Sequence, residues 1–344
     1  MARVLFPQVT DSVNETTIFY DRDADLDLLA ERTIAIIGYG AQGAAHAENV
    51  RDSGCRVVVG QREGGPGYLA AREAGFEPVA IAEAAAAADL INILLPDEVH
   101  GEVYEQHIRP HVQPGNILMT CHGFSFHYGL IQPDPGIDCL LVAPKGQGHM
   151  VRGEFLRGGG VPCLVATSAG ADDQTLQIGL AYAKALGGTR AGVIQTTIAA
   201  ETETDLFGEQ AVLCGGVSSL VQAGFETLVE AGYQPELAYF ECLHELKIIV
   251  DLLSAGGLTR MRDAISTTAE YGDYTRGPRI IDDSTRQRMR EVLAEIQSGE
   301  FARQFIGQHQ DGDQELARLR NENRDKLIEQ VGEKLRGMMP WLQD

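Results

Sequence analysis

The β-branched run Thr33-Ile34-Ala35-Ile36-Ile37 stops at Gly38-Tyr39-Gly40-Ala41-Gln42-Gly43, and residues 41–52 then read as a helix with small side chains on one side. A buried strand, a glycine turn and a helix in that order leave few folds open. The first glycine permits the tight turn, the second lets a pyrophosphate approach the backbone, and the third brings the helix close to the strand, with helix N-terminal amides facing the anion. That context raises a common G-x-G-x-x-G string to a specific dinucleotide-binding signature. Further strands are expected at residues 56–59, 78–80, 90–95, 116–120, 138–143 and 162–167, with helices at 68–74, 81–88 and 173–186. Strands alternating with helices imply an α/β, doubly wound, mostly parallel sheet. After about Gln195 the pattern becomes long helical stretches, so a nearly all-α second domain is expected, with the division at 1–196 and 197–344. Gly256-Gly257, Gly277-Pro278 and Gly299 should punctuate its helices, and residues 308–334 should form a solvated terminal helix.

With 344 residues and 44% apolar composition, the chain can bury a large core, and a length of this order favours two domains. The net charge of −21 disfavours nucleic acid and anionic membranes as partners. The first thirty residues carry scattered acids and no basic start with an apolar signal core, so a cytoplasmic protein is expected. No stretch reads as the roughly 20 apolar residues that a spanning helix needs. Six cysteines, at 55, 121, 139, 163, 214 and 242, lack any C-x-x-C pair and are expected to be buried reduced thiols.

The second strand ends at Gly60-Gln61-Arg62, where the carboxylate that usually holds the ribose 2′-hydroxyl of NAD is missing. This favours NADP, with Arg62 available for a 2′-phosphate or for stacking on adenine. Past the fourth strand, Pro96-Asp97-Glu98-Val99-His100 occupies a strand-end loop expected to close over the cofactor.

Asp205 and Glu209 are four residues apart, and Glu241 and Glu245 repeat that spacing. Because 49 of 344 residues are acidic, chance alone gives roughly seven such pairs, so spacing by itself proves little. Their neighbours are more informative: Leu206, Phe207, Val212, Leu213, Tyr239 and Phe240 are apolar. Carboxylates amid such density need compensation, which a hard cation or an ion-pair network supplies. Two pairs point to two Mg2+ ions. His122, in Thr120-Cys121-His122-Gly123-Phe124, and Lys145, in Ala143-Pro144-Lys145-Gly146-Gln147-Gly148-His149, follow successive strands on the cofactor side, the first suited to moving a proton and the second to holding an anion.

Taken together, GYGAQG, LLPDEVH, HGFSFHYG, APKGQGH, ETETDLFGEQAVLCGG, ETLVEAGYQPELAYFECLHELK and AEYGDYTRGPRI resemble the short form of ketol-acid reductoisomerase over about residues 17–302. Residues 1–16 then stand as an extension. The resemblance implies a Rossmann-type domain followed by a knotted helical domain that pairs with that of a second subunit. It implies that Asp205 bridges two Mg2+ ions, that Glu209 binds one of them, and that Glu241 and Glu245 serve the other. By the same resemblance His122 and Lys145 belong to the catalytic site and Ser266 holds the substrate carboxylate. Tyr39 to Gln42, Arg62, Asp97 to His100 and Gly148 match cofactor-contact positions. The implied reaction converts 2-acetolactate or 2-aceto-2-hydroxybutanoate by alkyl migration and hydride transfer from NADPH into a 2,3-dihydroxy-3-methyl acid. The implied pathway is the synthesis of valine, leucine and isoleucine.

One departure matters. Where the family usually carries two serines that grip the 2′-phosphate, this chain has Gly65 and Gly67. Charge-assisted hydrogen bonds are worth roughly 1.5–3 kcal/mol each, so their loss erodes the NADPH preference and real NADH use is expected. Two other readings compete. A metal-free β-hydroxyacid dehydrogenase would leave the acids unexplained, and a redox-sensing regulator would bind cofactor without turnover.

Overall fold

In the computed structural model, which describes residues 16–342, the chain divides into two compact units, residues 1–202 and 203–344. The expectation for residues 1–16 falls, apart from Thr16, outside the described residues.

The first unit is an eight-stranded sheet with strands β1 (Ile18–Phe19), β2 (Thr33–Ile37), β3 (Arg56–Gly60), β4 (Leu90–Ile93), β5 (Ile117–Thr120), β6 (Asp138–Pro144), β7 (Cys163–Thr167) and β8 (Val193–Gln195). Its helices are α1 (Ala41–Asp52), α2 (Pro66–Glu73), α3 (Ile81–Ala86), α4 (Asp97–Val103), α5 (Phe124–His127), α6 (Gly148–Leu156) and α7 (Asp173–Leu186). Helix α8 (Ile198–Gly208) carries the chain across the division.

The spatial order is β1-β8-β7-β6-β5-β4-β2-β3, parallel except at β1–β8 and β6–β7. Strand β2 lies between β3 and β4, so the chain reverses its direction of travel across the sheet beside β2. In open sheets that reversal opens a crevice at the carboxyl ends of the strands. Alternate residues of β2 enter different cores: Ile34 and Ile36 pack in one cluster with Val50, Leu180 and Tyr182, while Ala35 and Ile37 pack in another with Ala84, Tyr104 and Ile108. This is the two-faced burial of a doubly wound sheet. Local chemistry sets the boundaries. Asp172 accepts from Gln174 N at the start of α7, and Gly187, with φ of 96°, ends it in the left-handed region. The short strand expected at 78–80 is only a bridge between Gly60 and Val79.

The second unit is helical: α9 (Gly215–Glu230), α10 (Pro235–Tyr239), α11 (Leu246–Ala264), α12 (Thr267–Ile280), α13 (Asp283–Gln297), α14 (Glu300–Gln310), α15 (Gln314–Arg324) and α16 (Leu327–Arg336). Gly256 and Gly257 break α11 and Gly299 caps α14, but Gly277-Pro278 lies inside α12 rather than ending it. The single solvated helix expected at 308–334 is corrected as well. Residues Gly312 and Asp313 turn the chain, and α16 buries Ile328, Val331 and Leu335 against Phe225 and Tyr239. Spacing of three and four residues makes that apolar stripe, and the surrounding charges face away from it.

Two further expectations need correction. The helical run Ile198–Glu230 is long and apolar enough by composition to cross a membrane, with a window of mean hydropathy 1.4 that is 6% buried. Its hydropathy comes from valines, leucines, alanines and Phe225, which glycines and serines interrupt, so it holds no unbroken large-apolar stretch. None of the six cysteines is in a disulfide, but only Cys139 and Cys163 are buried and Cys214 is exposed.

Candidate functional site

The glycine turn after β2 is built by close contacts. Gly38 has φ of 105°, and a Cβ there would stand 2.4 Å from Leu94 O, while one on Gly43 would stand 2.2 Å from Gly38 O. Gly40, the N-cap of α1, has nothing within 4 Å of its missing Cβ. The motif is therefore closed where helix meets strand and open where the helix N-terminus points, which suits an anion. Helix α6 begins against the same turn, since a Cβ on Gly148 would lie 2.0 Å from Ala41 O. Gln42 Nε2 donates to Gly146 O at 2.9 Å, and Tyr39 is buried with its hydroxyl donating to Glu48 at 3.0 Å.

Beside this turn lies a cavity of 810 Å3 lined by Arg62, Gly65, Gly67, Val79, Val99 and His107, among others. Of the segment expected to cover the cofactor, Val99 reaches that cavity, whereas Asp97, Glu98 and His100 do not line it. His107 was not anticipated; it follows α4 in a π-helical turn, Tyr104–Ile108, that no short-range pattern announces. Gly65 is the N-cap of α2, ahead of Pro66.

His122 and Lys145, which follow β5 and β6, converge on one carboxylate. Glu201 is 1% exposed; its Oε1 accepts from Lys145 Nζ at 2.9 Å, its Oε2 accepts from Gly123 N at 3.0 Å, and His122 Nδ1 lies 3.4 Å from Oε2. Burial opposes ionisation of Glu201, but the hydrogen bond and charge of His122 and the charge of Lys145 outweigh it, holding the carboxyl below its ordinary value. The delivery of Glu201 depends on Gly123, where a Cβ would meet Thr202 Oγ1 at 2.2 Å and Ile198 O at 3.0 Å. Helix α8 can approach the β5 loop only because residue 123 has no side chain. Asp97 is also drawn toward this region, its carboxyl raised by burial against the opposing charges of His122 and His100.

Glu201 was not singled out from the sequence, although it stands four residues before Asp205 as Asp205 stands four before Glu209. A search for acidic triplets at that spacing finds it. Asp205 follows Glu201 by one turn of α8, while Glu209 opens a π-helical turn, Glu209–Leu213. Glu241 lies in a further π turn, Phe240–His244, which Glu245 follows. Glu209, Glu241 and Glu245 thus sit at or beside departures from α-helical winding, a feature that recurs at functional sites, whereas Asp205 lies in regular helix. Dense burial of these acids is not what the chain shows: Asp205 is half-buried, and Glu209, Glu241 and Glu245 are exposed, as are Val212 and Leu213. Apolar composition nearby overestimated burial because those side chains point outward too. Ser266 is exposed and caps α12, its Oγ accepting from Ala269 N at 3.2 Å.

His122 and Glu201 each offer a ligand atom to a cation.

Comparison with known proteins matches residues 28–192 to the acetohydroxy acid isomeroreductase NADPH-binding domain and residues 198–341 to the ketol-acid reductoisomerase C-terminal domain. A solved NADH-preferring ketol-acid reductoisomerase from an uncultured archaeon is 42% identical, with a TM-score of 0.90, over 94% of this chain and 99% of that one. Two others share the fold alone. A semialdehyde dehydrogenase NAD-binding protein from Cupriavidus necator is 20% identical, with a TM-score of 0.57, over 78% of this chain and 99% of that one. An oxidoreductase from Jannaschia is 18% identical, with a TM-score of 0.58, over 78% and 97%. Both domain matches, in the order of the two units, and the likeness along nearly the whole chain leave no support for a metal-free β-hydroxyacid dehydrogenase: the chain belongs to the ketol-acid reductoisomerase family.

Proposed function

We propose that this ketol-acid reductoisomerase works on 2-acetolactate or 2-aceto-2-hydroxybutanoate with two Mg2+ ions held by Asp205, Glu209, Glu241 and Glu245. The observation that carries the reading is the meeting of Lys145 and His122 on the buried Glu201, one helical turn before Asp205. When bound, the metal ions supply Lewis-acid polarisation of the substrate oxygens. The protein's own part is to position and to manage protons. Glu201 stays ionised because Lys145 and His122 offset the cost of its burial. Lys145, tethered at Nζ, presents positive charge to an anionic substrate. His122, with Nδ1 turned to Glu201, exchanges protons at Nε2. Ser266, an exposed cap at a helix N-terminus, offers its hydroxyl to the substrate carboxylate.

For the nicotinamide cofactor, Gly38 to Gly43 and Gly148 cradle the pyrophosphate, and the cavity beside Arg62 takes the adenosine end. NADPH is the proposed hydride donor, with substantial use of NADH because Gly65 and Gly67 lack hydroxyl donors; the NADH preference of the archaeal relative supports this reading. The active unit is a dimer, possessing a helical domain shared between subunits. Its support is the apolar surface of the second unit, where Leu213, Leu258, Tyr271 and Ile280 are 58–69% exposed. None of the six cysteines is in a disulfide, which suits a cytoplasmic setting.

Titrating Mg2+ into the intact protein by calorimetry tests the metal assignment. Saturable binding that Asp205→Asn abolishes is expected; undiminished binding by that variant contradicts it.

A further inference from the structure

Both ring nitrogens of His100 are committed inside the protein. The residue is 3% exposed, with Nε2 at 2.8 Å from Leu95 O and Nδ1 at 2.7 Å from Ser125 Oγ. A carbonyl oxygen only accepts, so Nε2 carries the proton; Nδ1 is then the acceptor, and the Ser125 hydroxyl donates to it. Ser125 is itself fully buried, and its own carbonyl accepts from Ile131 N at 3.1 Å. The nearest charged group facing the ring is Asp97, whose Oδ1 lies 3.9 Å from Nδ1. No face of this imidazole is left for a ligand.

The partners are informative by position. Leu95 belongs to the loop that leaves β4 beside the glycine turn, and a Cβ on Gly38 of that turn would lie 3.1 Å from the Leu95 side chain. Ser125 is in the first turn of α5, three residues after His122. One imidazole therefore ties the cofactor-side loop to the loop that carries His122.

We infer that His100 and Ser125 are positioning residues, a buried pair that fixes the β4–α4 loop and the β5–α5 loop relative to each other so that cofactor and His122 are held in register. His100 is accordingly not a cofactor contact, although its place in the sequence matched one. The inference rests on the reading of the glycine turn as the cofactor site and of His122 as a site residue.

The test combines Ser125→Ala with His100→Gln, which keeps a donor for Leu95 O and gives up the bond to Ser125. Hydrogen–deuterium exchange is followed by mass spectrometry on the full chain with NADPH, alongside steady-state kinetics. In each variant exchange should rise in residues 95–101 and 123–128 together, while α1 stays protected. The kcat should fall about tenfold with KM for 2-acetolactate nearly unchanged, as misplacement of reacting groups predicts. The double variant should be no worse than His100→Gln alone. Exchange that rises only around residue 125 with kcat unchanged, or effects of the two substitutions that simply add, would overturn the inference. Should the unaltered protein fail to turn over 2-acetolactate, the functional reading falls, while the paired exchange response still judges the coupling of the loops. A variant that unfolds leaves the other to decide.

Discussion

Lys145 and Glu201, 56 residues apart in sequence, meet at 2.9 Å, and the carboxylate they share with His122 is 1% exposed. A buried acid so placed has two possible values to the protein, structural or chemical, and one substitution separates them. Glu201→Gln keeps the shape and the acceptor for Lys145 but loses the charge. Turnover should fall about a hundredfold, the scale of a lost acid–base group, with a change of only a few degrees in melting temperature. Parallel losses of folding and activity, or intact activity, would make the group structural.

Cofactor choice is open to a direct manipulation. Gly65 has φ of −74°, which serine adopts readily, and a Cβ there meets Arg62 O at 3.2 Å, a tight but adjustable contact. A Cβ on Gly67 meets Gln61 Nε2 at 2.8 Å and Tyr39 O at 3.3 Å, so serine at 67 must displace the Gln61 amide. Gly65→Ser should raise the NADPH-to-NADH ratio of kcat/KM about tenfold or more, from one added charge-assisted hydrogen bond. Gly67→Ser should give less. An unchanged ratio in Gly65→Ser removes the missing-hydroxyl explanation.

A buried histidine outside the site makes the fold acid-labile. His46 Nδ1 lies 2.9 Å from Tyr182 OH, and complete burial lowers its pKa from 6.5 to about 3. The unfolded chain therefore takes up a proton that the folded chain refuses. Stability from this residue is whole above about pH 6.5 and declines as pH falls toward 3. At about 1.4 kcal/mol per pH unit, unfolding by urea should show the wild type losing about 2 kcal/mol more than His46→Leu between pH 6.5 and 5. Parallel pH profiles for the two proteins would refute the assignment.

The sheet was legible because each boundary carries its own chemistry. Gly38 ends β2, Pro96 precedes α4, and Asp172 and Gly187 bracket α7. Strand β1 escaped because two residues, Ile18 and Phe19, make no period and owe their form to pairing with Val193 and Ile194. The antiparallel turn of β7 on β6 is likewise a tertiary choice. In the second unit, composition misled in both directions. Charge hid the buried stripe of α16, and apolar neighbours suggested burial for Glu209, Glu241 and Glu245 that the chain does not show. Motif likeness marked Lys145 and His122, but not the acid between them. Only the fold reveals that Gly123 leaves room for α8 and hence for Glu201.

The central claim is metal-dependent conversion of an acetohydroxy acid with a nicotinamide cofactor. Oxidation of NADPH and NADH with 2-acetolactate, followed by the absorbance of the reduced nicotinamide with Mg2+ and again with excess EDTA, tests it most directly. Turnover with Mg2+ that EDTA abolishes and added Mg2+ restores is the predicted result. Turnover that survives EDTA undiminished, or none from the folded protein under any of these conditions, would contradict it.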